Sequence, residues 1–523
     1  MRYGLEGTIA PSMTWPGENP DPRPYPLDWV IERGAAEDAA LILRDHTLTY
    51  ADLRARVAQL SAWLASKLEK GDRVASWSAK GELACLLPVA AARAGLIHVP
   101  INPLLKHAQA AHILSDSGSQ LLLGTRSRLN SLSDLDVPPG CELIEEGEAL
   151  LVAEAFGEAL PKSSHDPDEL AAILYTSGST GQPKGVMLSH ANMWLGAVSV
   201  AHYLDMSAKD VCLAVLPLSF DYGQNQLLNT WYAGGAVVPL DYLFPRDVAK
   251  ACAKHAVTTL AAVPPLWVQL LEIDWPDDAV TSMRRVTNSG GALTLDIIEG
   301  LRAKFPRTQI FPMYGLTEAF RSTFLDPGLV ASYPTSMGSA IPFAEILVVD
   351  DEGRLCAPGE EGELVHCGPL VAQGYWEDPE RTAVRFKPAP RASTYGGMAV
   401  WSGDRVVRED NGLLYFVGRR DAMIKSSGNR ISPQEIESAA MATGLVSEVV
   451  ALGVPDERLG HAIHLVARIA PGAETGAEEA LPKALAKELP NFMQPHTIHW
   501  KEAMPLNPNG KIDRTALARE IGA

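Results

Sequence analysis

Hydroxyls, glycines and one lysine are concentrated in residues 176–185, which read Thr-Ser-Gly-Ser-Thr-Gly-Gln-Pro-Lys-Gly. An apolar run at 170–175 with buried-strand character precedes them, and Ser189 offers an N-cap for a helix over 191–200. Gly178, Gly181 and Gly185 let the backbone turn tightly and approach a ligand closely. Backbone N–H groups, the hydroxyls of Thr176, Ser177, Ser179 and Thr180, and the Lys184 ammonium form an anion cradle. The order Pro183-Lys184-Gly185 is not that of a Walker A loop, in which Ser or Thr follows the lysine. Composition alone would allow a flexible surface loop; the strand before it and the helix start after it argue for phosphate binding.

Three further clusters carry usable chemistry. Met313-Tyr314-Gly315-Leu316-Thr317-Glu318 joins an aromatic face, suited to a purine, to a carboxylate, a hard oxygen ligand for Mg2+. Asp404 in Trp401-Ser402-Gly403-Asp404 is placed at a strand end, where it could accept from both hydroxyls of a ribose. Ser289-Gly290-Gly291-Ala292 follows a strand and opens into a helix, making Gly290, Gly291 and Ala292 candidates for nucleotide contact. In isolation that turn reads as structural. Arg419 and Asp421 in Gly418-Arg419-Arg420-Asp421 read alone as a solvated charged turn, and Lys511 in Asn509-Gly510-Lys511 as a surface lysine.

Together these stretches resemble, in order and over about two-thirds of the chain, the AMP-forming adenylating enzymes: acyl-CoA synthetases, peptide-synthetase adenylation domains and luciferase. Residues 92–103, ARAGLIHVPINP, resemble the family's early motifs as well. The resemblance implies that Tyr314 stacks on adenine, Thr317 contacts the α-phosphate, Glu318 holds magnesium and Asp404 binds the ribose. It further implies that Arg419 contacts the nucleotide, Asp421 is an interdomain hinge, Lys511 is a mobile catalytic lysine, and Lys425 and Gly428 line a thiol tunnel. The implied reaction has two halves. A carboxylate attacks the α-phosphorus of MgATP with release of pyrophosphate, and a thiol then displaces AMP to give a thioester. The acceptor is the phosphopantetheine thiol of CoA or of a carrier protein. No carrier-like segment follows Lys511 in this sequence, so a carrier is expected as a separate chain. A non-catalytic nucleotide-binding regulator and an adenylating oxidase of luciferase type are the competing readings. Intact Lys184, Glu318, Asp404 and Lys511 argue against the first.

The substrate is read from residues 216–223, LPLSFDYG. Phe220-Asp221 resembles the amino-acid-activating branch, in which the aspartate binds the substrate ammonium; a buried carboxylate needs such a partner. The matching pocket positions are Tyr222, Asn225, Ala262, Thr287, Ser289, Met313, Arg321 and Ser322. Arg321 leaves two readings open. It pairs with Asp221 and the substrate is a non-amino carboxylic acid, or it receives a second carboxylate of the substrate. An amino or β-amino acid is the leading expectation.

The elements that must position these residues alternate. Strands are expected at 74–77, 97–101, 211–216, 258–263, 285–288 and 309–311, and helices at 83–94, 246–255, 266–271 and 295–304, which argues for parallel βαβ units. Short strands at 346–349, 362–367, 371–375 and 413–417 suggest a β-rich part. Ser432-Pro433-Gln434-Glu435 has capping-box spacing at a helix start. Residues 1–35 are Pro-rich and expected to be irregular. The expected fold is therefore α/β: a large N-terminal domain over 1–420, with parallel-sheet α/β subdomains and a β-rich subdomain, then a small mobile α+β C-terminal domain over 421–523.

At 523 residues the chain exceeds a single core, and 46% apolar with 21% charged residues is ordinary globular composition. A net charge of −18 disfavours a nucleic-acid partner. The six cysteines show no CxxC spacing and are expected to be free thiols. No run reaches the ~18 apolar residues of a membrane helix, and no signal-peptide core is present, so a cytoplasmic enzyme without membrane contact is expected.

Overall fold

Two sheets with helices between them carry most of the expected alternation. The computed structural model describes residues 20–177, 183–419, 424–426, 429–456, 459–473 and 476–523. Among these, one sheet has nine strands, with Val211–Ala214, Thr259–Ala262, Arg285–Asn288 and Gln309–Tyr314 parallel at its centre. The other has six, with Arg73–Trp77, Ile97–Pro100 and Leu121–Gly124 parallel to their neighbours and Leu170–Ser177 parallel to Ile97–Pro100. The strands Ile97–Pro100, Thr259–Ala262 and Arg285–Asn288 are buried at every position, as parallel strands covered on both faces must be. One continuous apolar core, from Leu27 to Leu413, joins the sheets through the helices Tyr50–Lys67, Glu82–Ala94, His190–Tyr203 and Asp221–Tyr232.

Local signals explain the helix ends. Ser189 accepts from the Asn192 N–H in a capping box, and Gly95, at φ 74°, terminates Glu82–Ala94. Residues 27–32, expected to be irregular, form a 3-10 helix that buries Leu27, Val30 and Ile31. Residues 183–189 are a strand, Pro183–Ser189, antiparallel to Leu170–Ser177, so the hydroxyl-rich stretch joins two paired strands.

A third sheet is built from Glu345–Val349, Glu361–Cys367, Phe386–Pro388, Met398–Arg408 and Leu414–Arg419. Residues 371–375 do not join it. They run along the edge of the six-stranded sheet instead, with Gln373 N donating to Met187 O, Met187 N to Gly374 O and Trp376 N to Gly185 O. That edge was open to pairing because Pro183–Ser189 has only one neighbouring strand. Asp404 lies inside Met398–Arg408, not at its end, directly after Gly403 at φ 69° and next to a register shift.

A smaller C-terminal domain has its own core of Ile431, Ile436, Ile463, Leu465, Leu481 and Leu485 around the strands Val446–Asp456, Gly460–Ile469 and Thr497–Trp500. The helix Pro433–Met441 starts where Ser432-Pro433 places it, but the capping box does not form. The Ser432 hydroxyl donates instead to Val417 O at 2.5 Å, so a contact with the preceding strand displaces the local cap. All six cysteines are free. No helix among the described residues is long and apolar enough to cross a membrane.

Candidate active site

The candidate residues gather where the central strands of the nine-stranded sheet end. Asn288 and Tyr314 close the parallel strands Arg285–Asn288 and Gln309–Tyr314, so the turns after them face one crevice, the usual ligand position in such sheets.

At one end of the crevice, Lys184 is delivered by the strand Pro183–Ser189, opposite Thr176 in register. Its Nζ donates to Glu318 Oε1 at 3.0 Å and to the Tyr375 hydroxyl at 2.6 Å. Tyr375 in turn donates to the same Oε1 at 2.7 Å, closing a triangle. Burial pushes the Glu318 carboxyl up, but Lys184, Tyr375 and the backbone together hold it below the usual glutamate range. The Thr176 hydroxyl is buried without a partner. Glu318 is the one carboxylate here, and no group of three or more His, Cys, Asp or Glu that could hold a metal occurs among the described residues. A single carboxylate completed by substrate phosphates is the donor set that suits Mg2+.

Around Asp404, the Tyr314 hydroxyl donates to Asp404 Oδ2, and Arg419 Nε lies 3.7 Å from Asp404 Oδ1. The buried His366 ring stacks on Tyr314 at 5.9 Å and 22°, backing one face of the ring. Burial lowers the His366 pKa to about 3, so it backs Tyr314 as a neutral ring. Gly315 lies where a Cβ would come 2.6 Å from Phe320 O, which permits the sharp return carrying Thr317, Glu318 and Arg321 back to the crevice.

Lys511 enters the crevice from the C-terminal domain. Its loop is held by Asn507, whose Oδ1 accepts from Asn509 N and Lys511 N, both at 3.0 Å. Asn102 Nδ2 ties the loop to the large domain by donating to Pro508 O at 2.9 Å and Asn509 Oδ1 at 3.1 Å. The Lys511 Nζ lies 5.7 Å from the centroid of the Phe220 ring. Burial lowers the lysine's pKa, partly opposed by the Asp221 charge and reinforced by Arg321. A Cβ at Gly290, whose φ is 82°, would come 2.4 Å from Lys511 Cε. Gly291 packs near Pro264, and Ala292 is exposed.

The residues read from sequence as a substrate pocket gather around the helix Asp221–Tyr232, which itself carries Asp221, Tyr222 and Asn225. Gly223 lets its first turn lean on Pro217, since a Cβ would lie 1.8 Å from that carbonyl oxygen. Asp221 Oδ1 accepts from Thr317 Oγ1 at 3.3 Å, and Asp221 Oδ2 lies 4.0 Å from Arg321 Nη1. Burial raises the Asp221 pKa, against the pull of Arg321 and Lys511. Arg321 Nη1 donates to Ser289 Oγ at 3.3 Å, and the guanidinium lies 4.5 Å from the Tyr222 ring centroid. Tyr222 OH and Thr287 Oγ1 share a hydrogen at 2.6 Å, and Met313 Sδ accepts from Tyr203 OH at 2.8 Å. A cavity behind Arg321 is lined by Tyr222, Asn225, Thr287 and Met313 among others. Ala262 is fully buried, and Ala261 lines that cavity in its place, because successive strand residues face opposite sides.

Gly178, Ser179, Thr180, Gly181, Asp421 and Gly428 lie outside the described residues, as do the side chains of Ser177 and Lys425. Tyr375, His366, Asn102 and Asn507 were not anticipated from sequence. Tyr375 alone had a local signal, an aromatic directly after Gly374, and its partners are distant in the chain.

The sequence and the fold match known proteins. The family described as AMP-binding enzyme matches residues 27–376, and the AMP-binding enzyme C-terminal domain matches 435–511. An L-proline–[L-prolyl-carrier protein] ligase of Streptomyces coelicolor is 31% identical over 89% of this chain and 91% of its own length. A feruloyl-CoA synthase of Amycolatopsis is 29% identical over 94% and 98%. The chain spans only 6% of another relative, the malpinin synthetase of Mortierella alpina, at 29% identity over 91% of this chain. ATP-bound MatB from Rhodopseudomonas palustris superposes with a TM-score of 0.85 at 25% identity, covering 96% of this chain and 99% of that one. The o-succinylbenzoate CoA synthetase of Bacillus subtilis with its acyl-adenylate gives 0.80 at 27%, over 95% and 98%. With both parts of the family profile matched in order around one crevice, the chain belongs to the AMP-binding enzyme family of adenylate-forming acid–thiol ligases.

Proposed function

We propose that this chain activates an amino or β-amino acid with MgATP and passes the acyl group to a phosphopantetheine thiol, on a separate carrier protein or on CoA. The observation that carries this reading is the insertion of Lys511 between Gly290 and Phe220, beside Asp221. A cation there faces the space between the substrate side and the nucleotide side. It can neutralise the attacking carboxylate and the α-phosphate oxygens as negative charge shifts between them. Thr176, Lys184 and the residues of 177–181 are the phosphate cradle in this reading; Tyr314, Asp404 and Arg419 hold the nucleoside, and Thr317 the α-phosphate. Glu318 would hold Mg2+, which supplies charge neutralisation on the phosphates when bound.

In the first half-reaction a substrate carboxylate oxygen bonds to the α-phosphorus and pyrophosphate leaves. In the second a thiol sulfur bonds to the acyl carbon, its proton is lost and AMP leaves. The protein's contribution to the first is positioning and electrostatics. For the second, Lys511 must withdraw. We place that movement at Asp421, between domains 1–420 and 421–523, with Lys425 and Gly428 turned toward the thiol.

Asp221 is the group we assign to the substrate ammonium. A second reading, a non-amino carboxylic acid, is favoured by the partners Asp221 already has in Thr317 and Arg321. Carboxylate-dependent ATP–pyrophosphate exchange across amino, β-amino, fatty and aryl acids tests both. Exchange with amino acids that Asp221→Ala abolishes, while an uncharged analogue is spared, supports the ammonium role. Equal loss for both rejects it.

A further inference from the structure

Arg321 is a buried cation of the substrate pocket with an unused donor. The residue is 1% exposed and its Nε has no hydrogen-bond partner. Its partners are weak: Ser289 Oγ at 3.3 Å, and Asp221 Oδ2 at 4.0 Å, beyond hydrogen-bonding distance. Tyr203 lies close enough for its oxygen to accept a further N–H. A guanidinium carries five N–H donors in a planar fork, and burying it without acceptors is costly.

The surrounding chain holds the group in place. Phe320, at φ 57°, is anchored where Gly196 on the helix His190–Tyr203 leaves room, since a Cβ there would lie 2.3 Å from the Phe320 ring. Arg321 follows directly and rests over the Tyr222 ring. Nearby, the Ser322 hydroxyl and Asn225 Oδ1 are also buried and unpartnered, and the Asn225 amide can present either its oxygen or its N–H2 to a ligand. A fork with an unused donor and an amide at one cavity, with a free hydroxyl on the residue next to the arginine, form a receptor for an acceptor group with two oxygens.

Charge points the same way. Arg321 and Lys511 are two cations against the single carboxylate of Asp221. With Lys511 assigned to the activated carboxylate and the α-phosphate, a simple zwitterionic amino acid brings its ammonium to Asp221 and leaves Arg321 with no anion of its own. A second substrate carboxylate supplies one.

We propose that the substrate carries a second carboxylate, distal to the one that is activated, and that Arg321 receives it. This rests on the adenylation reading above. It commits that reading to a dicarboxylic substrate, with an amino dicarboxylic acid satisfying Asp221 and Arg321 at once.

The test is pyrophosphate exchange by the full-length enzyme with MgATP and matched acids. Aspartate and glutamate are set against asparagine and glutamine, and succinate and glutarate against butyrate and pentanoate. The expected result is a kcat/KM at least tenfold higher for a dicarboxylate than for its amide or monocarboxylate partner. Arg321→Gln should erase that preference, raising KM for the diacid at least tenfold more than KM for its neutral partner. Arg321→Lys, which keeps the charge, should retain part of the preference and controls for folding. Equal or better exchange with the neutral partners overturns the proposal and leaves the adenylation reading intact. Exchange with none of the acids, including the amino, fatty and aryl panel, overturns both.

Discussion

The side chain of Lys511 occupies the space that a Cβ on Gly290 would need. The two residues are far apart in sequence, yet a Cβ at Gly290 would come 2.4 Å from Lys511 Cε and 2.9 Å from its Nζ. Gly290 is thus required twice, for its φ of 82° and for the passage of the lysine. Gly290→Ala should cut pyrophosphate exchange by about 10²-fold, the order of loss a misplacement of about 1 Å produces. The exposed position predicts a change in melting temperature of only a few degrees. An alanine enzyme with full exchange activity would show that Lys511 does not work from this position.

Lys511→Ala should lose the first half-reaction by about 10²–10³-fold, the usual effect of removing one charge-stabilising donor. It should still convert a supplied acyl-adenylate to the thioester at near the parent rate. Single-turnover assays of each half separate the two. Equal loss of both halves would rule out a Lys511 that acts in one step and withdraws for the other.

Tyr375 joins Lys184 and Glu318 through one hydroxyl. Tyr375→Phe keeps the ring against Lys184 and the direct Lys184–Glu318 contact of 3.0 Å, but frees both from the bridge. We expect KM for MgATP to rise about tenfold, on the scale of a charge-assisted hydrogen bond, with KM for the acid substrate unchanged. Steady-state kinetics with each substrate varied in turn provides the check; a change confined to the acid substrate would contradict the assignment.

The pH profile follows from two opposite shifts. Burial raises the Asp221 carboxyl, so the ionised form that binds an ammonium is lost on acidification at a pH above the ordinary aspartate value of 3.8. Burial lowers the Lys511 ammonium, so its charge is lost on the alkaline side below the ordinary lysine value of 10.5. The kcat/KM profile should therefore be narrower than two unperturbed groups would give. Asp221→Asn should abolish the acid limb together with most amino-acid binding, and Lys511→Arg should move the alkaline limb upward. A profile unaltered by either substitution would separate these groups from the reaction.

Stability has its own pH dependence at Glu318, whose carboxyl is held below its ordinary value of 4.5 in the fold. The unfolded chain then takes up the proton first, so the stabilisation from Glu318 is present above that pH and disappears as pH falls through the folded-state value. As pH falls from about 5 to about 3 the parent enzyme should lose more thermal stability than Glu318→Gln. An identical slope for the two would show that the Lys184–Tyr375–Glu318 triangle does not contribute to folding.

Much of this was determined by the amino-acid sequence alone, because it depends on neighbours in the chain. The apolar runs and the helix signals placed the alternating strands and helices, and Ser189 and Gly95 cap where local chemistry says they should. The motif residues Lys184, Tyr314, Glu318 and Asp404 stand out in the sequence by type and spacing, whereas Lys511, alone a surface lysine, stands out only through the resemblance to the adenylating family. The tertiary structure decided what required distant partners. Residues 371–375 look like a strand of the β-rich sheet, but the open edge of another sheet competes for their backbone. Ser432 has the spacing of a capping box, but Val417 takes its hydroxyl. Tyr375 gains a role only because Lys184, 191 positions away, meets it and Glu318 at one point. The relation of Asp221 to Arg321 was the question left open in one dimension. It turns on a separation of 4.0 Å in place of about 3 Å, a difference that packing around Phe320 and Tyr222 sets and that local propensity does not encode.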